Sequence, residues 1–161
     1  MFLSLFVLMV EQFSTQIETR TNEVRYMTTQ EFCKAFNLTV DQFYGREIIN
    51  KSIYFEEENI TEFPKGFNPN VKGHLDLGEV KYIPKGFSPI VSGNLTINDA
   101  MFIGKNFAPT IGYSLFASNL ITIPKGFSPI VGCDLNIENI KSYPLFLKEK
   151  VGNNIYYNLQ N

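Results

Sequence analysis

The stretch Pro84-Lys85-Gly86-Phe87-Ser88-Pro89-Ile90-Val91 stands again, unchanged, at 124–131. Close variants are PKGFNPNV at 64–71 and GKNFAPTI at 104–111. The units open at Pro64, Pro84, Gly104, Pro124 and Pro144, a constant step of 20 residues. A fixed period of this length means that one small unit is stacked on copies of itself, each burying its apolar face on its neighbours. Such a scaffold offers a surface more readily than a pocket.

Working outward from that stretch, the columns of the repeat state their own physics. Phe67, Phe87, Phe107 and Phe127 share one column, with Leu147 in the last unit. Pro69, Pro89, Pro109 and Pro129 form a second, and Val71, Val91, Ile111, Val131 and Val151 a third. Leu75–Leu77, Leu95–Ile97, Leu115–Ala117, Leu135–Ile137 and Ile155–Tyr157 read as strands, because alternation sends both apolar side chains to one face. A proline has no donor for a strand ladder, so the Pro-Lys-Gly-Phe segment is expected to turn on the opposite side. Gly66, Gly86 and Gly126 fit a left-handed turn position. Asn106 stands in the same place, and asparagine is the residue that best tolerates that conformation. Phe63, Ile83, Ile103, Ile123 and Tyr143 precede the turn. A degenerate earlier unit lies at 51–63, with Ile53, Tyr54 and Phe55 as strand and Ile60 and Phe63 as return.

Residues 27–45 differ in kind. Thr28 with Glu31 fits a capping box at a helix start, and Phe32 and Phe36 then share a face. Thr39 opens a second short helix that Gly45 ends. The pair has the outline of a helix-turn-helix but lacks the basic residues of a DNA-reading helix. A terminal cap over the open core is the expectation, since solenoids need one. The chain thus divides into an apolar, amphipathic extension at 1–26, a helical cap at 27–50 and a repeat solenoid at 51–161.

The extension begins MFLSLFVLMV, too short an apolar run to span a bilayer, which takes about 20 residues. No basic residue precedes Arg20, so a secretory signal is disfavoured. Phe6, Val10, Phe13 and Ile17 recur at helical spacing instead. Docking on the solenoid end or on another subunit is expected, making residues 1–26 a candidate for homo-oligomer assembly; Met27 is an alternative start of translation. Cys33 and Cys133 are far apart and read as free thiols of a reducing, cytoplasmic compartment. The formal net charge of −2 gives no general attraction to nucleic acid or anionic membrane.

The pattern Ile83-Pro84-Lys85-Gly86-Phe87 through Val91-Ser92-Gly93-Asn94-Leu95-Thr96-Ile97 resembles the short leucine-rich repeats of bacterial and phage proteins. The resemblance covers 51–157. It implies a mainly β, single-sheet parallel solenoid of about six turns with an N-terminal helical cap. Glu58 sits where that family's asparagine ladder would start, and the later units are two residues too short to hold one. The horseshoe curvature is therefore not implied, and a flat-sided, β-helix-like solenoid is the alternative.

Enzyme chemistry finds no support in the residues. The single histidine, His74, has no nucleophile or metal-ligand motif around it, and Asp76 could at most pair with it. The acidic run Glu56-Glu57-Glu58 reads as a solvated loop. No cofactor motif is present. Stacking in register puts His74, Asn94, Ser114, Asp134 and Asn154 in one column and Asp76, Thr96, Phe116, Asn136 and Tyr156 in the next. Exposed aromatics among hydrogen-bonding groups are frequent interface anchors, so His74, Asp76, Asn94, Thr96, Ser114, Phe116, Asp134, Asn136 and Tyr156 are the candidate partner-binding residues. Lys65, Lys85, Lys105 and Lys125 line the opposite edge, one per turn; such a row could recognise an acidic patch, but the favoured reading is that lysine keeps exposed turns soluble and discourages edge stacking.

A non-catalytic protein-binding module is the functional expectation. Length and composition also resemble phage-encoded inhibitors of the host ATP-dependent Lon protease. That resemblance implies a cytoplasmic host protein as partner and blocked turnover as mechanism, without a reactive-site loop. A structural, oligomerising virion or surface component is the alternative.

Overall fold

The computed structural model describes residues 27–55 and 62–158. The extension at 1–26, the run Glu56-Glu57-Glu58 and the return residue Ile60 lie outside these.

Two short helices come first, α1 (Thr29–Ala35) and α2 (Val40–Phe43). Both open with reciprocal capping. Thr28 Oγ1 accepts from Glu31 N at 3.2 Å while Glu31 reaches back to Thr28 N at 2.9 Å. Thr39 and Gln42 repeat the exchange, each bond 3.0 Å. In each helix two of the backbone donors left over at its start are thereby satisfied. Phe32 and Phe43 are fully buried and meet edge to face at 5.6 Å. Both also contact Phe67, at 4.9 and 5.2 Å, so the helices lie against the first coil.

Thirteen short strands follow among the described residues: β1 (Ile48–Ile49), β2 (Ile53–Tyr54), β3 (Asn70–Val71), β4 (Leu75–Asp76), β5 (Tyr82–Ile83), β6 (Ile90–Val91), β7 (Leu95–Thr96), β8 (Phe102–Ile103), β9 (Thr110–Ile111), β10 (Leu115–Phe116), β11 (Ile130–Val131), β12 (Leu135–Ile137) and β13 (Ile155–Tyr157). A 3-10 helix, Leu145–Glu149, replaces the usual turn of the last coil. All strand pairs are parallel. The molecule is a parallel β-solenoid, as the 20-residue period requires.

The L-x-L column forms a six-stranded sheet in the order β13-β12-β10-β7-β4-β2, the sheet expected from the repeat. The expectation of a single sheet is corrected. A five-stranded sheet, β1-β3-β6-β9-β11, and a two-stranded sheet, β5-β8, make two further walls, so the flat-sided alternative describes the shape. The reason lies in two columns to which the sequence pattern assigns no strand, the one ending in Val91 and the one ending in Ile83. In Ile90–Val91 and Tyr82–Ile83 the first residue points outward and the second inward, with Ile90 and Tyr82 exposed and Val91 and Ile83 buried. Two successive residues in extended backbone suffice for a rung when an identical rung lies on either side.

The core is the set of inward columns. Phe67, Phe87, Phe107 and Phe127 stack as a file with ring centres 6.2, 6.2 and 5.3 Å apart. Leu75, Leu95, Leu115 and Leu135 are fully buried, as are Leu77, Ile97, Ala117 and Ile137. One buried column, Val80, Ala100, Leu120 and Ile140, had no counterpart in the sequence reading.

The turns behave as their residues dictate. Gly66, Gly86 and Gly126 have φ of +89°, +78° and +77°, and Asn106 takes φ +61° in the same position. A different demand acts at the corner before the L-x-L strand. There a Cβ on Gly132 would run into the carbonyl oxygen of Gly112, and one on Gly152 into that of Gly132. The backbones of successive coils touch at this corner, leaving no room for a side chain.

Candidate functional site

The corner that enters the six-stranded sheet carries the first column of candidate residues. Their side chains are engaged along the stack. Ser52 Oγ accepts from His74 N at 2.9 Å, and His74 Nδ1 from Asn94 N at 3.0 Å. Asn94 Oδ1 accepts from Ser114 N at 3.0 Å, Ser114 Oγ from Asp134 N at 3.2 Å, and Asp134 Oδ1 from Asn154 N at 3.1 Å. Each side chain thus supplies the acceptor for the backbone donor one coil later. A polar ladder is present after all, at a different column from the one the resemblance implied. Its cause is local: the backbone leaves one sheet for the next at this corner, and its N–H needs an acceptor. His74 and Asp76 do not form the polar pair considered from the sequence; Asp76 Oδ1 instead accepts from Gly78 N at 2.9 Å.

The second column is different. Tyr54, Asp76, Thr96, Phe116, Asn136 and Tyr156 are in register on six adjacent strands. Their neighbours along each strand point into the core, so these side chains point out. Tyr54 and Tyr156 are about half exposed, at 52% and 49%, while Phe116 is partly covered. Asn136 is held by Glu138 Oε1 at 2.9 Å, and Asn154 Nδ2 lies 3.4 Å from the Tyr156 hydroxyl. The wall has an aromatic ring near each end and one in the middle, separated by groups that donate and accept hydrogen bonds. The structure therefore separates the nine candidates into an internal ladder (His74, Asn94, Ser114, Asp134) and an outward column (Asp76, Thr96, Phe116, Asn136, Tyr156). Tyr54 belongs to the second group and was missed, because its unit is degenerate.

Two other outer walls exist. Ile48, Asn70, Ile90, Thr110 and Ile130 are in register on the five-stranded sheet, and the three isoleucines are exposed. Tyr82 and Phe102 stand side by side on the two-stranded sheet, with Met101 and Ile121 exposed next to them. The signal for this last pair was an aromatic residue directly before the buried Ile83 and Ile103.

Among the described residues, no group of three or more His, Cys, Asp or Glu side chains is placed to hold a metal ion. None of the helices there is long and apolar enough to cross a membrane. Cys33 and Cys133 are free thiols. Burial pushes the Cys33 thiol up from its usual pKa, which disfavours the nucleophilic thiolate. An open hollow of about 330 Å³ lies between α1 and the first coil, lined by Phe36, Lys51, Ser52 and Tyr54 among others, with Lys51 its one charged residue. These arrangements can hold and orient another molecule by contact. Comparison with protein-family models, with curated proteins and with solved structures finds no match to this chain.

Proposed function

We propose that the protein is a non-catalytic protein-binding module that acts as a phage-encoded inhibitor of a host protein, with the ATP-dependent Lon protease as its target. One observation carries the binding reading: the outward column of the six-stranded sheet. Tyr54, Phe116 and Tyr156 are aromatic anchors on a flat wall, set among Asp76, Thr96 and Asn136. Aromatic anchors ringed by hydrogen-bonding groups are the composition in which interface energy concentrates. A wall fixed by backbone ladders on both sides loses little conformational freedom on binding, which favours affinity. The choice of Lon follows from the resemblance in length and composition alone. Inhibition would then come from occupying the protease surface and blocking turnover.

The test is direct. Purified protein is added to Lon degrading a labelled casein with ATP. Degradation should slow in a dose-dependent way, and the Phe116→Ala/Tyr156→Ala variant should need a concentration higher by roughly tenfold or more, the usual effect of losing two anchors. Undiminished degradation at saturating protein removes Lon as the target. Affinity capture from expressing cells with the native and doubly substituted proteins then decides the wider reading: a partner retained equally by both clears this wall of the role.

A further inference from the structure

The two-stranded sheet bears an apolar stripe with a cationic rim along one side. Tyr82 and Phe102 are in register and 45% and 51% exposed, and Met101 and Ile121 extend the stripe. The next corner along each coil carries Lys65, Lys85, Lys105 and Lys125, all exposed. Backbone bonds hold that corner in line from coil to coil, Gly86 N to Lys105 O at 2.9 Å and Asn106 N to Lys125 O at 3.0 Å. Among the described residues none of these four lysines makes an ion pair, whereas Lys81 pairs with Asp99 at 2.7 Å. The corner on the other side of the stripe carries no cation at the corresponding position of each coil: Glu79, Asp99, Asn119 and Asn139 follow one another there. The column of Met101 and Ile121 holds Lys81, neutralised by Asp99, and Lys141 one coil past Ile121, so the unbroken row of four unpaired lysines lies on the opposite flank alone and orients the stripe.

We propose that this face binds an amphipathic helix of a partner protein, laid along the stacking axis with its carboxylates toward the lysine rim and its apolar stripe on Tyr82 and Phe102. The spacing selects a helix. Successive lysines are one coil apart, about 4.8 Å, the distance between paired strands. A helix returns to the same face every turn, about 5.4 Å, so across four lysines the two rows drift apart by about 2 Å, well within the reach of a lysine side chain. An extended segment repeats a face about every 6.6 Å and would lose register by roughly three times as much. Acidic residues at i, i+4, i+7 and i+11 would meet the four lysines in turn. The proposal shares with the Lon reading only the premise of a protein partner and uses a different wall, so the two fail separately.

The probe is a fluorescein-labelled synthetic peptide about 18 residues long, five turns of helix. It carries glutamates at i, i+4, i+7 and i+11 and leucines on the adjoining stripe. A control has every glutamate replaced by lysine. Anisotropy titration with the full chain should show the acidic peptide binding tighter than the control by at least about tenfold, as close complementary charges provide. The Lys85→Glu/Lys105→Glu/Lys125→Glu variant should weaken binding of the acidic peptide by a similar factor. The Phe116→Ala/Tyr156→Ala protein should bind it as the native protein does. Equal binding of the two peptides, or undiminished binding by the triple variant, overturns the proposal. Should the triple variant fail to fold by circular dichroism, the decision passes to native protein titrated at rising ionic strength. Affinity for the acidic peptide must then fall steeply, and a salt-independent affinity overturns the proposal as well.

Discussion

Two kinds of glycine share this repeat, and their substitution should separate them. Gly86 is needed for its φ of +78°, and the space where a Cβ would stand is empty. Gly86→Ala should therefore cost only the left-handed penalty, about 1–2 kcal/mol, and Gly86→Asn less, because Asn106 already lives at that position. Gly132 has no such φ but is pressed between the backbones of two coils. Gly132→Ala must push the coils apart, so its cost should exceed that of Gly86→Ala and reach about 3 kcal/mol or more, the range of severe substitutions. Urea denaturation of the three variants measures both; equal losses at the two sites would refute the distinction. The left-handed glycines were legible in the sequence because asparagine replaced one of them, a substitution with a single physical meaning. The close-approach glycines were not. Nothing in the letters around Gly132 reports how near the carbonyl of Gly112 will come.

A rung of the solenoid is held at its corner as well as along its strands. Strands of two residues offer few ladder bonds, and the Ser52–His74–Asn94–Ser114–Asp134–Asn154 series supplies acceptors where the sheets change direction. Asn94→Leu keeps the bulk and removes the acceptor for Ser114 N, at a position where Ser114 is itself buried. The expected loss is about 1–3 kcal/mol, the cost of a buried donor left unmet, while Asn94→Asp keeps an acceptor and should lose much less. Chemical denaturation of the two variants decides it; equal losses would mean that the side chain packs without bonding. This element was half legible. Register placed the column correctly from a 20-residue period, but its polar members were read as solvent-facing groups awaiting a partner. The L-x-L strands were recognised because three residues suffice to show alternation. The strands at 82–83 and 90–91 were not, because an element of two residues has no period to detect. Hence one sheet was expected where the described residues form three.

The whole molecule is close to one-dimensional. Each coil contacts the coil before and after it, through an unbroken file of phenylalanines from Phe67 to Phe127 and parallel ladders on its walls. Removing residues 95–114 joins Asn94 to Leu115 and restores every column one coil shorter. The shortened chain should remain folded, with an unchanged β-type circular dichroism signature per residue and a lower denaturation midpoint, because one interface is gone and the others are intact. An unfolded product would show that the coils are not interchangeable. The apolar file and the period were fully readable from the repeat, whereas the aromatic stripe beside the lysines emerged only when the third wall placed Tyr82 next to Phe102. The inter-coil bonds, such as Leu75 N to Asn94 O and Leu95 N to Ser114 O, all run lengthwise. Tension applied from one tip to the other would therefore load them like the teeth of a zip instead of shearing a whole row at once. The molecule would lengthen in steps of roughly 70 Å as each 20-residue winding straightens, yielding at modest force to any machine that threads it from an end.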